Sequence, residues 1–158
     1  MPSLRYTANL ILLTFACLLG LLVWWSQPEP LPPLTSIDPL QITQVEINDL
    51  QGRKIALRRI QDQWLIGTEP ANQRRVKQLL GISQTPSLRR FAASDDLHPY
   101  GLAPPPIELK LNGEELAIGN NDPVNGWRYI LYRGEIHLIA DGFHHHLSAP
   151  PEAWLAIP

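Results

Sequence analysis

The chain opens on one long apolar run and then changes rhythm. Leu10 to Trp25 reads LILLTFACLLGLLVWW, in which only Thr14 and Gly20 are not plainly apolar and nothing is charged. Extended to Ala8–Ser26 the stretch has 19 residues, about 28 Å of helix at roughly 1.5 Å per residue, which matches a hydrocarbon core of about 30 Å. A transmembrane anchor is therefore expected over residues 8–26, after a short cytoplasmic N-terminus at 1–7. Arg5 and the free amino group precede the run. No Lys or Arg follows before Arg53, while Glu29, Asp38, Glu46 and Asp49 lie between. The positive-inside rule then leaves the N-terminus in the cytoplasm and sends the remainder outside, with Trp24 and Trp25 at the interface. A cleaved signal peptide would need small residues before its cleavage site, and Val23 to Gln27 fit poorly. A lipoprotein would need a small-residue box before Cys17, and Thr14-Phe15-Ala16 is a weak one. Cys17 reads as a packing residue in lipid.

Residues 27–39 form a Pro-rich linker with Pro28, Pro30, Pro32, Pro33 and Pro39, a composition that favours polyproline II and acts as a semi-rigid spacer. From residue 40 the rhythm is that of short strands. Ile42–Ile47, Lys54–Ile60 and Gln63–Gly67 are expected as strands, with a Gly-containing turn at Asp49–Gly52. Pro70 is expected to open a helix in which Val76, Leu79 and Leu80 share one face while Arg74, Lys77 and Gln78 take the other. Gly81 suits the C-cap. A second series follows. Ile107–Leu111 leads into an Asn112-Gly113 hairpin turn, then come Leu116–Gly119, Trp127–Arg133 and Glu135–Ala140, and Asp141 is placed to cap a short final helix bearing Phe143 and Leu147.

The two series share an order of strands followed by a helix. Val45-Glu46-Ile47 answers to Ile107-Glu108-Leu109, Ile55-Ala56-Leu57 to Leu116-Ala117-Ile118, and Trp64-Leu65-Ile66 to Tyr129-Ile130-Leu131. A duplicated unit and chance likeness between two hairpin-rich halves both account for this. Either way, residues 40–158 read as one extracytoplasmic α+β domain with a mainly antiparallel sheet and about two helices, a size able to hold a single core.

Composition narrows the function classes. One Cys among 158 residues leaves no intrachain disulfide and excludes Cys-rich zinc sites. The net charge of −2 draws no nucleic acid to the chain as a whole. The charge is unevenly placed. Arg53 to Arg90 holds nine basic and two acidic residues, net +7, whereas Phe91 to Pro158 holds three basic and nine acidic, net −6. Arg58, Arg59, Arg74, Arg75, Lys77, Arg89 and Arg90 are the candidate docking surface, facing anionic headgroups or an acidic partner. The other reading is that Glu108, Glu114, Glu115 and Glu135 cover them within the fold.

Other residues invite chemistry. His144-His145-His146 suggests metal, but on a helix the rings diverge by about 100° each and the i, i+4 spacing of helical chelation is missing. As a strand, His144 and His146 would share a face, with His98 or His137 as a third ligand. Asn120 to Gly126 is oxygen-rich yet has Asp122 as its only carboxylate, short of a calcium loop. No nucleophile elbow, phosphate loop, zinc-protease helix or paired-carboxylate motif occurs, so no catalytic residue, metal or cofactor is expected.

Tyr100-Gly101-Leu102, the run Pro104 to Leu111, Ala117-Ile118-Gly119, Arg128 to Leu131 and His137 to Asp141 follow one another in a characteristic order. In this the chain resembles the bacterial domain of unknown function numbered 4340, a membrane-anchored extracytoplasmic family, over about Ile42 to Leu147. The resemblance implies a single-anchor protein of the bacterial inner membrane with a periplasmic domain. Through related domains it implies an accessory role beside gliding-motility-type ABC transporters, and it implies no catalytic residues. The function expected is thus a non-catalytic accessory or scaffold in an envelope complex. The alternatives are a module that binds a polyanion or glycan in a groove between the two halves, and a metal-dependent hydrolase using the histidines.

Overall fold

The computed structural model describes residues 3–26 and 29–156. Gln27 and Pro28 of the expected linker lie outside the described residues. The chain divides into two units, residues 1–30 and 31–158.

The first unit is the helix α1, Ser3–Trp25. Tyr6–Trp25, 20 residues, is long and apolar enough to cross a membrane, and its described side chains are exposed throughout. Thr14 donates its hydroxyl to the Leu10 carbonyl at 2.8 Å, which satisfies the one hydroxyl inside the run.

The second unit is one antiparallel sheet of nine strands with two helices: β1 Gln44–Asp49, β2 Lys54–Ile60, β3 Gln63–Ile66, β4 Glu69–Pro70, α2 Gln73–Leu80, β5 Arg89–Ala92, β6 Ile107–Leu111, β7 Glu114–Asn121, β8 Arg128–Tyr132, β9 Glu135–Ile139 and α3 His144–Leu147. The strand order is β4-β3-β2-β1-β6-β7-β8-β9-β5. β1 and β6, the first strands of the two series, pair at the middle with Ile47 opposite Leu109. From that pair each series runs outward as a meander. Two-residue turns at Gln61-Asp62, Asn112-Gly113 and Arg133-Gly134 have positive φ at both positions, as type I′ hairpins require.

Three local expectations give way to specific hydrogen bonds. Pro70 does not open the helix. It lies in β4, paired with Leu65, because the Ala71 amide donates to the Trp64 carbonyl at 2.8 Å and holds the chain extended. α2 starts three residues later behind Asn72, whose side chain accepts from the Arg75 amide at 3.1 Å in the manner of an N-cap. Asp141 does not cap α3. Its carboxylate is taken by Arg128, and α3 begins after Phe143. The third strands of the two series match one residue away from the sequence alignment, since Leu57 faces Ile66 while Ile118 faces Ile130.

Part of the expected linker is built into the domain. The Leu34 and Thr35 amides donate to the Thr85 and Ser83 carbonyls, and the Ser87 amide donates to Pro32. Leu34 is buried. The main core lies on one face of the sheet, where Val45, Ile47, Leu57, Leu109, Leu111, Ile118 and Ile130 meet Val76, Leu79 and Leu80 of α2, Leu147 of α3 and Trp154. A second, smaller cluster of Leu102, Ala117 and Ile136 lies on the other face, with Phe91, Leu97, Tyr100, Tyr129 and Leu131 around it.

Candidate functional site

The strand order decides which of the seven basic residues can act together. Arg58 and Arg59 are neighbours on β2 and so point to opposite faces. Arg58 is exposed, whereas Arg59 pairs with Asp62 at 2.5 Å and donates to the Leu40 carbonyl at 2.7 Å. Arg74 and Lys77 are exposed on α2, opposite the buried Val76, Leu79 and Leu80. Arg75 is half-buried rather than freely exposed. Its guanidinium lies over the Trp154 ring, 5.6 Å from the centroid, with Nε buried. Arg89 and Arg90 belong to β5, the edge strand six steps from β2, or roughly 29 Å at about 4.8 Å per step. The seven cations therefore do not form one patch. Only Arg59 of the seven makes an ion pair among the described residues.

Of the acidic residues that could have covered them, Glu114 and Glu115 are engaged elsewhere. Glu114 forms a fork with Arg133 at 3.0 and 2.7 Å and accepts from the Tyr132 hydroxyl. Glu115 pairs with Lys110. Glu135 stands 3.9 Å from His137. Asp141 receives Arg128 at 2.8 and 2.7 Å, and those bonds, led by Arg128's, hold its carboxyl below the usual range.

His144, His145 and His146 make up most of α3, and only His146 is buried. Burial, with the charges of His145 and Arg75, lowers its pKa. Among the described residues, no three His, Cys, Asp or Glu side chains gather as metal ligands do. The Asn120–Gly126 loop closes on itself, since Asp122 accepts from the Asn125 amide and side chain at 2.9 Å each.

Two cavities matter for a ligand. The first, about 440 Å³, lies between the two series and is lined by Asp49, Arg53, Pro106, Ser148 and Pro150. Its cation is already committed, because Arg53 bonds Asp49 at 2.9 Å and donates to the Leu147 and Ala149 carbonyls. The second, about 300 Å³, lies at the far end of the sheet between β8, β9, β5 and the segment Pro33–Ser36. There His137 is 4% exposed, its Nδ1 lies 2.9 Å from Ser87 Oγ and its Nε2 has no hydrogen bond. Burial lowers its pKa, against the pull of Glu135 and with the help of Arg90.

This second place is hidden in the sequence, where Arg89-Arg90 reads as surface charge rather than as a strand and Pro32–Ser36 as part of a spacer. The available signal was His137 itself, a polar residue in the apolar strand EIHLI. No protein-family model matches the chain, and no match is found among the curated proteins or the solved structures.

Proposed function

We propose that the chain is a single-pass membrane protein whose α+β domain is a non-catalytic docking module of a bacterial envelope complex, presenting the outer face of α2 to an acidic protein partner. The observation that carries this reading is the pair Arg74 and Lys77. Both are exposed on a helix whose opposite face is anchored in the core, and neither has an ion pair among the described residues. A core would not hold such cations unpaired, and a fixed basic face raises the rate at which an acidic partner is met.

The membrane half of the reading rests on the apolar span Tyr6–Trp25 and on the positive-inside argument from Arg5, whose side chain lies outside the described residues. The envelope setting and a link to a transporter rest on the resemblance to domain family 4340 alone. The central pairing of β1 with β6 supports a duplicated origin.

The test joins topology with docking. A C-terminal alkaline phosphatase fusion should be active and a green fluorescent protein fusion dark. The double substitution Arg74→Glu, Lys77→Glu should lower co-purification of the partner from mild detergent, more so at low salt. Unaltered yield at low ionic strength would remove the docking role from α2. A loss of binding to anionic liposomes with unchanged co-purification would assign the face to lipid instead.

A further inference from the structure

The geometry points to a small-ligand site beneath the segment Pro33–Ser36: we propose that this cavity takes a small carboxylate that also carries a hydroxyl, the chemistry of an acidic sugar. Its volume of about 300 Å³ is at the small end of ligand pockets. Its wall is preformed. The Leu34 amide bonds Thr85 at 2.8 Å, the Thr35 amide bonds Ser83 at 3.0 Å, and Thr35 Oγ1 also donates to Ser83 at 3.1 Å. A wall already fixed by hydrogen bonds adds little to the entropy lost on binding.

The polar groups define the ligand. Ser87 has one hydroxyl proton, which we assign to the Arg89 carbonyl at 3.2 Å because a carbonyl can only accept. Toward His137 it can then only accept, so the proton sits on Nδ1 and Nε2 is left as a lone pair. That nitrogen is buried and makes no hydrogen bond. Its neighbour Glu135 Oε2, 3.9 Å away, is beyond hydrogen-bond range and is itself an acceptor. Two adjacent acceptors call for a donor, and a hydroxyl supplies one.

The cation comes from β5. Arg90 lies opposite His137 in the strand register, lines the same cavity and makes no ion pair among the described residues. Arg133 also lines it, but its Nε and Nη2 are held by Glu114. Arg90 is thus the free fork for a carboxylate, and it belongs to this cavity rather than to the basic face of α2. A fully ionised phosphate offers no donor. A metal cation would meet Arg90. Pro33 and Leu34 give the cavity an apolar side that suits the C–H face of a sugar ring.

Calorimetric titration of the full chain in detergent tests this with D-glucuronate, D-glucose and acetate as probes. Saturable binding of glucuronate is expected, with glucose and acetate each at least tenfold weaker. Arg90→Gln should weaken glucuronate at least tenfold and leave glucose unchanged. His137→Asn keeps an N–H for Ser87 and removes the Nε2 acceptor, so it should weaken glucuronate and glucose alike. Because His137 is buried and its variant can fail to fold, Glu135→Gln, altered at the rim, is the second variant and should also weaken glucuronate. Absence of saturable heat at tens of millimolar glucuronate overturns the proposal. So does acetate binding as tightly as glucuronate, or wild-type affinity in both Arg90→Gln and Glu135→Gln.

Discussion

Ala56 on β2 and Ala117 on β7 occupy matching places in the hairpins that flank the central β1–β6 pair, facing Glu46 and Glu108 respectively. Ala56 is exposed, whereas Ala117 is 8% exposed and packs with Leu102 and Ile136. The difference runs through both ends of the sheet. β2 alternates exposed and buried as far as Arg58, as a strand covered on one face must. β7 is buried at four successive residues from Leu116 to Gly119, and β9 at four from Ile136 to Ile139. The cause is the turn through Tyr100 and Leu102, which covers the second face at that end only. Gly119 admits it, because a Cβ there would strike the Tyr100 carbonyl. A broken alternation in a strand therefore reports a second cover.

The sharpest way to break this comparison is to place one charge on both alanines. Ala117→Glu buries a carboxylate without a partner and should cost upwards of about 3–5 kcal/mol, enough to prevent folding. Ala56→Glu, facing Glu46, should cost no more than about 1 kcal/mol. Chemical denaturation of the two variants decides the matter, and equal effects would mean that the second cover is not formed.

Next in size is Leu79→Ala. Leu79 is fully buried under α2 and should cost about 2–5 kcal/mol. A loss below about 0.5 kcal/mol would detach α2 from the sheet.

The regular end of the sheet was the legible one. Val45, Ile47, Ile55 and Leu57 alternate, and Val76, Leu79 and Leu80 recur at helical spacing, so strands, helix and buried faces follow from periodicity. The far end was harder to read because its strands are covered twice and lose their period. β5 was lost altogether, since RRFA carries two arginines and no alternation. The candidate site was legible only as charge. Which cations share a face depends on strand order, and no local pattern announces that β5 pairs with β9 across some fifty residues. Pro70 misled because a proline serves a helix start and an edge strand equally well.

A smaller contrast separates two arginines. Arg128 at the doubly covered end is 9% exposed, and its guanidinium is engaged by Asp141 and by the Gly119 carbonyl at 2.7 Å. Arg58 at the singly covered end is exposed and has no ion pair among the described residues. Arg128→Gln should cost about 1.5–3 kcal/mol, the usual size for hydrogen bonds to charged groups. Arg58→Gln should cost within about 0.5 kcal/mol. A cost for Arg58→Gln matching that of Arg128→Gln would show that exposure does not separate the two ends.

The smallest effect is a pH response centred on the far end of the sheet. No histidine lies on β1 to β4, and of the two buried ones His137 is on β9 while His146 feels Arg75 of α2. His137 and His146 both have pKa values lowered chiefly by burial, from an unfolded value near 6.5. Below that value the unfolded chain takes up protons that the folded chain refuses, so stability falls as pH drops through about 6.5 toward the folded values. Asp141 acts in the same direction but lower. Its depressed pKa gives stability that is present above the ordinary carboxylate range and lost only as pH falls through its own folded value, so it is silent between about pH 5 and 7. His137 is hydrogen-bonded to Ser87 and lies opposite Arg90 of β5, so its protonation loosens β5 and β9 first. Amide exchange, corrected for its intrinsic pH dependence, should therefore quicken more in β5 and β9 than in β2 and β3 between pH 7 and pH 5. His137→Asn should flatten that response. Equal quickening at both ends would mean that the sheet opens only as a whole, and that the difference between its ends is one of packing without being one of local stability.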